Sequence, residues 1–184
     1  MLYIISGASR SGKTLMAGKI LEERRITYLS LDWLVMGFTN GMPEVGIRDT
    51  LFPDEIAERS WPFLQAMLES MIYVETDCVI EGEALLPGYM AELIKKHPDN
   101  IRICFLGYTD VSIWKKIEQI KKFSTGTNDW LTDKSDDYIA DHINNMIAHS
   151  KNIKQACEEN HIAYFDTSDH FDKAIEDAVD HLLG

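Results

Sequence analysis

Apolar positions come in short runs, each closed by a turn or by a segment with helical spacing. The run "LYIIS" (2–6) has the length and continuity of a strand buried on both faces. A glycine-rich turn follows, then 13–24, where Leu15, Met16, Ile20 and Leu21 recur near helical spacing. Four more apolar runs read as strands: "ITYLSL" (26–31), "DCVIEGE" (77–83), "NIRICFLG" (100–107) and "IAYFD" (162–166). Helical patterns separate them at 54–73, 88–97, 110–123, 136–160 and 168–183. The 136–160 pattern sets Ile139, Ile143, Met146, Ile147 and Ile153 on one face. The 54–73 helix is expected to break at "SWPF", with Ser60 as a cap and Pro62 in a new first turn. Ser168 or Asp169 is the expected cap of the last helix. Segment 33–53, with Gly37, Gly41, Pro43, Gly46 and Pro53, reads as irregular, and loops of that length tend to bind or cover a ligand. Segment 124–135 is polar and turn-rich.

Strands that alternate with helices in this way imply parallel βαβ units with right-handed crossovers. No repeat, low-complexity tract or linker interrupts the pattern, so residues 1–184 are expected to form one α/β domain. Ligands in such domains sit at the carboxyl ends of the strands, and the chemistry is to be sought just after each run.

Composition narrows the partners. The 184 residues are 45% hydrophobic and 26% charged, with a net charge of −12, which argues against nucleic acid or an anionic membrane as the main partner. No apolar stretch approaches the roughly 20 residues of a membrane span. The first apolar run is too short for a signal-peptide core, so a cytoplasmic location is expected. Cys78, Cys104 and Cys157 lack metal-ligand spacing and sit in apolar patterns, as buried reduced thiols do.

The chemistry begins at "GASRSGKT". Gly7-Ala8-Ser9-Arg10-Ser11-Gly12-Lys13-Thr14 fits G-x-x-x-x-G-K-[ST] between a strand and a helix, the context that the phosphate-binding loop requires. The glycines let successive backbone N–H groups turn inward around an anion, and the helix presents its positive end to the same anion. Gly7, Ser9, Arg10, Ser11, Gly12, Lys13 and Thr14 are therefore the candidate ATP contacts. Lys13 would reach the outer phosphates, and the Thr14 hydroxyl would ligate Mg²⁺. Asp32 follows the second strand in "LSLDWL", where a carboxylate would hold metal, take a proton from a substrate hydroxyl, or cap a helix. Glu81 ends the third strand in "CVIEGEALLP", near the metal and its water, with Glu83 a weaker candidate for that place. His142 and His149 lie on the long helix and read as solvated or satisfied side chains.

In order, "GASRSGKT", "LSLDWL", "VIEGEALLPG", "ICFLGYTDVSIWKKI" and "YFDTS" resemble the small-molecule kinase branch of the P-loop proteins. That branch includes adenylate, shikimate and gluconate kinases, chloramphenicol phosphotransferase and zeta-toxin-like kinases. "VIEGEALLPG" is also similar to the third-strand segment of 2-phosphoglycerate kinase-like proteins. The resemblance implies a three-layer αβα domain with a five-stranded parallel sheet in the order 2-3-1-4-5. It implies a substrate-binding insert at 33–75 and a mobile lid at 121–135. By the same resemblance Asp32 contacts substrate or magnesium, Lys116 stacks on adenine, and Asp166-Thr167-Ser168 form the loop that meets the base. Arg48, in the insert, is the candidate for an anionic group on the acceptor. Lids of this group supply arginines to the transferring phosphoryl group, whereas no arginine here lies beyond Arg102 and 121–135 offers only Lys121, Lys122 and Lys134.

In the insert, Trp33, Phe38, Trp61 and Phe63 read as core in the first instance and as pocket wall in the second, whereas Trp130 lies in the polar lid segment and is expected to close over the site. The expected function is an ATP- and Mg²⁺-dependent kinase that acts on a hydroxyl of a small metabolite, with Lys13, Asp32 and Glu81 as the catalytic residues. The alternative is an ATP-binding regulatory protein or weak ATPase without a small acceptor. A nucleotide acceptor is disfavoured because Arg48 and Arg59 are the only arginines between the second and third strands. A GTPase is disfavoured by the lack of an N-K-x-D motif after a strand.

Overall fold

The computed structural model describes residues 1–122 and 129–184. Five strands, β1 (Leu2–Gly7), β2 (Tyr28–Ser30), β3 (Cys78–Gly82), β4 (Ile101–Gly107) and β5 (Ala163–Asp166), pair in parallel in the order β2-β3-β1-β4-β5. The helices are α1 (Lys13–Arg24), α2 (Leu31–Gly41), α3 (Pro53–Tyr73), α4 (Pro87–Lys96), α5 (Ile113–Lys122), α6 (Asp136–Glu159) and α7 (Phe171–Leu183). They cover the sheet from both sides, so the αβα architecture and strand order expected from the sequence are those observed.

The two-residue period of the strands sorts side chains between two cores. Leu2, Ile4, Cys78, Ile80, Ile103 and Phe105 pack toward α3, α4 and α6, with Leu64, Leu68, Met90, Leu93 and Ile153. Ile5, Val79, Cys104 and Leu106 face the opposite side, against Met16, Ile20, Ile175, Val179 and Leu182 of α1 and α7. All three cysteines are buried free thiols, and burial pushes Cys104 and Cys157 upward in pKa, Cys157 to about 12. A third core at the edge of the site joins Ala8 and Tyr108 to Leu131 and to Ile117, Ile120, Ile139, Ile143 and Met146 of α5 and α6.

In the insert and in α3 the structure differs from the sequence reading. Segment 33–53 is irregular only at 42 and 46–52, since helix α2 runs on through Gly41. Ser30 is the N-cap residue of α2, and a short 3-10 helix follows at Pro43–Val45. Nothing lies within 4 Å of a Cβ built at Gly37 or Gly41, so these glycines fall where the helix makes no close contact, and they do not break it. The α3 helix also runs unbroken through Pro62. Its start is at Pro53, where Glu55 Oε2 accepts a hydrogen bond from the Phe52 N–H at 3.2 Å. Ser60 is no cap, since its hydroxyl donates back to the Ile56 carbonyl at 2.6 Å. Ala57, Leu64, Leu68 and Ile72 bury one face along the whole length, which holds the helix together across the missing proline donor.

Candidate functional site

Chain order makes β1 central: β3 flanks it on one side and β4 on the other, and the chain leaves toward β2 from one edge and returns to β4 on the other. Crevices form at the carboxyl ends of strands at such a switch point. The turn from Gly7 to Gly12 lies there. Gly7 has φ 129, and a Cβ on it would fall 1.8 Å from the Leu106 carbonyl oxygen. Gly12 has φ 106, and its Cβ would meet Ile175 and Phe171 at 2.9 Å. No side chain caps the first turn of α1, so its leading N–H groups stay available to a ligand.

Arg10 is left-handed at φ 60, a conformation that costs a non-glycine residue about 1 kcal/mol or more. Two contacts hold it there. The Lys116 ammonium donates to the Arg10 carbonyl at 3.0 Å. The Arg10 guanidinium forks onto both carboxylate oxygens of Asp129, with Nη1 to Oδ2 at 2.7 Å. The hydrogen bonds from Arg10 hold the buried Asp129 carboxyl below the usual carboxylate range. Beside it, Leu131 is fully buried against α5 and α6.

Lys13 is buried. Its ammonium donates to the Ala8 carbonyl at 2.7 Å and lies 3.5 Å from Glu83 Oε1. Thr14, the next residue, donates its hydroxyl to Glu81 Oε2 at 3.3 Å. Glu81 is 1% exposed, and its Oε1 has no hydrogen-bond partner among the described residues. Burial raises its pKa, opposed by the Ser30 and Thr14 hydroxyls and by Lys13. Asp32 stands in the first turn of α2, not at its cap, with its carboxyl open to the cleft. The protein around it raises its pKa by desolvation; Lys13 opposes the rise and Glu83 adds to it. Lys13, Asp32, Glu81 and Glu83 thus share one electrostatic neighbourhood. The donor set fits a magnesium ion: a threonine hydroxyl beside a carboxylate with one unsatisfied oxygen, all hard oxygen atoms.

The remaining candidates lie around this centre. Ser9 is half-buried in the turn, and the Ser11 hydroxyl is fully buried without a partner among the described residues. Lys116 is buried, with its ammonium 4.4 Å from the Tyr108 ring centroid, and desolvation lowers its pKa to about 8. Asp166 accepts hydrogen bonds from the Thr109 and Ser168 hydroxyls and from the Ser168 N–H. Burial opposes ionisation of Asp166, but these bonds win and its pKa falls. Ser168 accepts in turn from the N–H groups of Thr109 and Asp110, so it staples the β4 and β5 exits together and does not cap α7. A cavity of about 360 Å³ opens there, lined by Thr109, Asp110, Asp166, Ser168 and Lys173. Arg48 is exposed, with no side-chain partner among the described residues, and no described contact ties it to the turn.

Of the expected lid, 123–128 lies outside the described residues. Lys121, at the end of α5, pairs with Asp136, and Lys134 sits 5.7 Å from the Tyr138 ring centroid. Trp130 is 53% exposed and meets the His142 ring edge-on at 5.2 Å. In the insert, Trp61 stacks on Tyr89 at 4.6 Å and Phe63 meets Phe38 at 5.3 Å, whereas Trp33 is 63% exposed.

Four further residues reach the site without having been singled out as its contacts. Asp129 had no signal beyond a polar stretch. Tyr108 follows a strand, where an aromatic ring carries no signal beyond packing. His142 and His149 lie seven residues apart, two helical turns, and so share a face of α6. Their Nε2 atoms are buried without hydrogen-bond partners among the described residues, so each half-buried ring is unsatisfied at that nitrogen. Burial lowers both histidine pKa values.

Solved structures similar to this one share its architecture over nearly the whole chain. A gluconokinase from Sinorhizobium meliloti 1021 matches with a TM-score of 0.59 at 16% identity, over 98% of this chain and 90% of its own. A shikimate kinase from Bacteroides thetaiotaomicron matches at 0.58 and 16%, over 99% and 96%. The fold is that of the P-loop small-molecule kinases. A sugar kinase from Janibacter sp. HTCC2649 matches at 0.56 and 18% identity, over 98% of this chain and 93% of its own. No protein-family model matches the sequence, and a search of curated proteins found no match. Identities this low carry the P-loop kinase fold and leave the chemistry to the site. Among the described residues, no helix is long and apolar enough to cross a membrane.

Proposed function

We propose that this chain is an ATP- and Mg²⁺-dependent kinase that transfers the γ-phosphoryl group to a hydroxyl of a small metabolite. The observation that carries the reading is the grouping at the P-loop. Lys13 and Thr14 enter α1 beside the buried Glu81, and Asp32 faces the same charges from the open side of the cleft.

In this reading the Gly7–Gly12 turn and the α1 N-terminus hold the phosphate chain. Lys13 leaves the Ala8 carbonyl to neutralise charge on the outer phosphates. Thr14 and Glu81 would hold Mg²⁺, which supplies charge neutralisation on the phosphate oxygens when bound. The acceptor hydroxyl oxygen attacks the γ-phosphorus, the bond from that phosphorus to the bridging oxygen breaks, and ADP leaves. Asp32 orients the hydroxyl and takes its proton, a role that a carboxylate of raised pKa suits. The base would occupy the cavity held open by Asp166 and Ser168. Lys116 supports it indirectly, by fixing the Arg10 carbonyl and with it the curl of the loop.

The Asp32→Asn variant tests this. It should lower acceptor-dependent ADP release by about 100-fold or more while Mg-ATP binding stays within about threefold of the parent. Undiminished turnover would remove Asp32 from the mechanism.

A further inference from the structure

The cleft beside Lys13 also reports on the charge of the acceptor, on the footing that the chain is the kinase proposed above. The cations around the P-loop are already engaged by protein groups. Lys13 is held by the Ala8 carbonyl at 2.7 Å and by Glu83 at 3.5 Å. Arg10 is forked onto Asp129, and Lys116 is spent on the Arg10 carbonyl. In the insert, Arg59 donates to the Gly46 carbonyl at 2.7 Å and lies 3.8 Å from Glu55.

Carboxylates and unsatisfied polar atoms stand among these engaged cations. Asp32 is open to solvent, and the Glu83 side chain is 27% exposed. The Tyr108 hydroxyl, on a side chain with no exposure at all, has no hydrogen-bond partner among the described residues, and neither does Nε2 of His142 or His149. The charge of Glu83 reaches Tyr108, His142 and His149 alike. His149 also reaches Asp54 at 3.8 Å, so a further carboxylate stands beside that histidine.

Carboxylates accept from hydroxyls, and neutral imidazoles and a phenol both donate and accept. The same carboxylates disfavour a like charge. The geometry points to an acceptor that carries several hydroxyls and no negative charge, either uncharged or amine-bearing, read by Glu83, His142 and His149. The exposed Arg48 is the side chain that would serve the opposite preference.

The experiment measures ADP release by the full chain with Mg-ATP across acceptors matched in skeleton and differing in charge. Suitable sets are glucose, glucosamine and gluconate; ribose and ribonate; glycerol and glycerate; with kcat/KM determined for each. The expected result is turnover of uncharged or amine-bearing members at least about tenfold above their carboxylate partners. Glu83→Gln should narrow that ratio, chiefly through KM for the carboxylates, and Glu83→Asp should restore it. Turnover of a carboxylate at or above the level of its uncharged partner overturns the inference, and its loss in Arg48→Ala would assign the anion to Arg48. Mg-ATP binding with no release for any acceptor defeats the kinase reading itself, and the inference falls with it.

Discussion

Replacing Asp129 by alanine removes the carboxylate that clasps the P-loop from outside. The Asp129 side chain is 2% exposed and that of Arg10 26%, so the pair is more buried than a surface ion pair. Two charge-assisted hydrogen bonds are lost, each worth about 1.5–3 kcal/mol when its partner is stranded. The Leu131 N–H loses an acceptor as well. Arg10 regains water through its exposed quarter, which offsets part of this, and a net cost of about 2–3 kcal/mol remains. For a chain of this length that lowers Tm by about 4–12 °C. Arg10→Ala should cost a similar amount, because it strands a buried carboxylate. The double variant should cost little more than either single one, with a coupling of about 2 kcal/mol. Thermal and urea unfolding of the four proteins measures this directly. The pH dependence fixes the cause. Asp129 has a folded pKa below its unfolded value of about 3.9, so its contribution is present above about pH 4 and is lost as pH falls through the folded value. The gap between parent and Asp129→Ala should therefore hold near pH 7 and shrink in acid. Additive single effects, with coupling under about 0.5 kcal/mol, would refute the clasp as a source of stability.

Other perturbations separate parts of the site. Lys116 has a folded pKa of about 8 against an unfolded value near 10.4, so it penalises folding below pH 8 and the penalty fades as pH rises between the two values. Urea unfolding should show the parent gaining up to about 3 kcal/mol relative to Lys116→Met between pH 7 and pH 10; a constant difference would contradict a buried, destabilised ammonium. Gly7→Ala places a Cβ against the Leu106 carbonyl at a φ that alanine avoids, and should cost about 3 kcal/mol or more by the same measurement. Thr14→Val should keep the fold by circular dichroism and raise the Mg²⁺ concentration needed for half-maximal ADP release by about tenfold; an unshifted requirement would take Thr14 out of the metal site.

The fold was legible because its signals are local. The alternation of "LYIIS", "CVIEG" and "RICFLG" with helical periods can bury its apolar positions only between two helical layers. The P-loop was legible because a phosphate cradle needs glycine at Gly7 and Gly12 for reasons of backbone geometry alone. Helix α2 was not, because Gly37 and Gly41 look like breakers until its open surroundings are known. The uninterrupted α3 was hidden by Pro62, whose cost is met by burial far along the same helix. The clasp between Arg10 and Asp129 spans 119 residues, and no spacing rule joins them. The two histidines show a two-turn spacing, but that the Glu83 charge reaches both is settled only by packing α6 across the sheet.

The most direct measurement is phosphorus NMR of the full chain with Mg-ATP and the panel of hydroxyl acceptors, with Lys13→Ala as the blank. The account predicts a new phosphomonoester resonance with one acceptor, growing in step with ADP and absent from the blank. Inorganic phosphate alone, released at the same rate whichever acceptor is present, would contradict it and make the chain an ATPase.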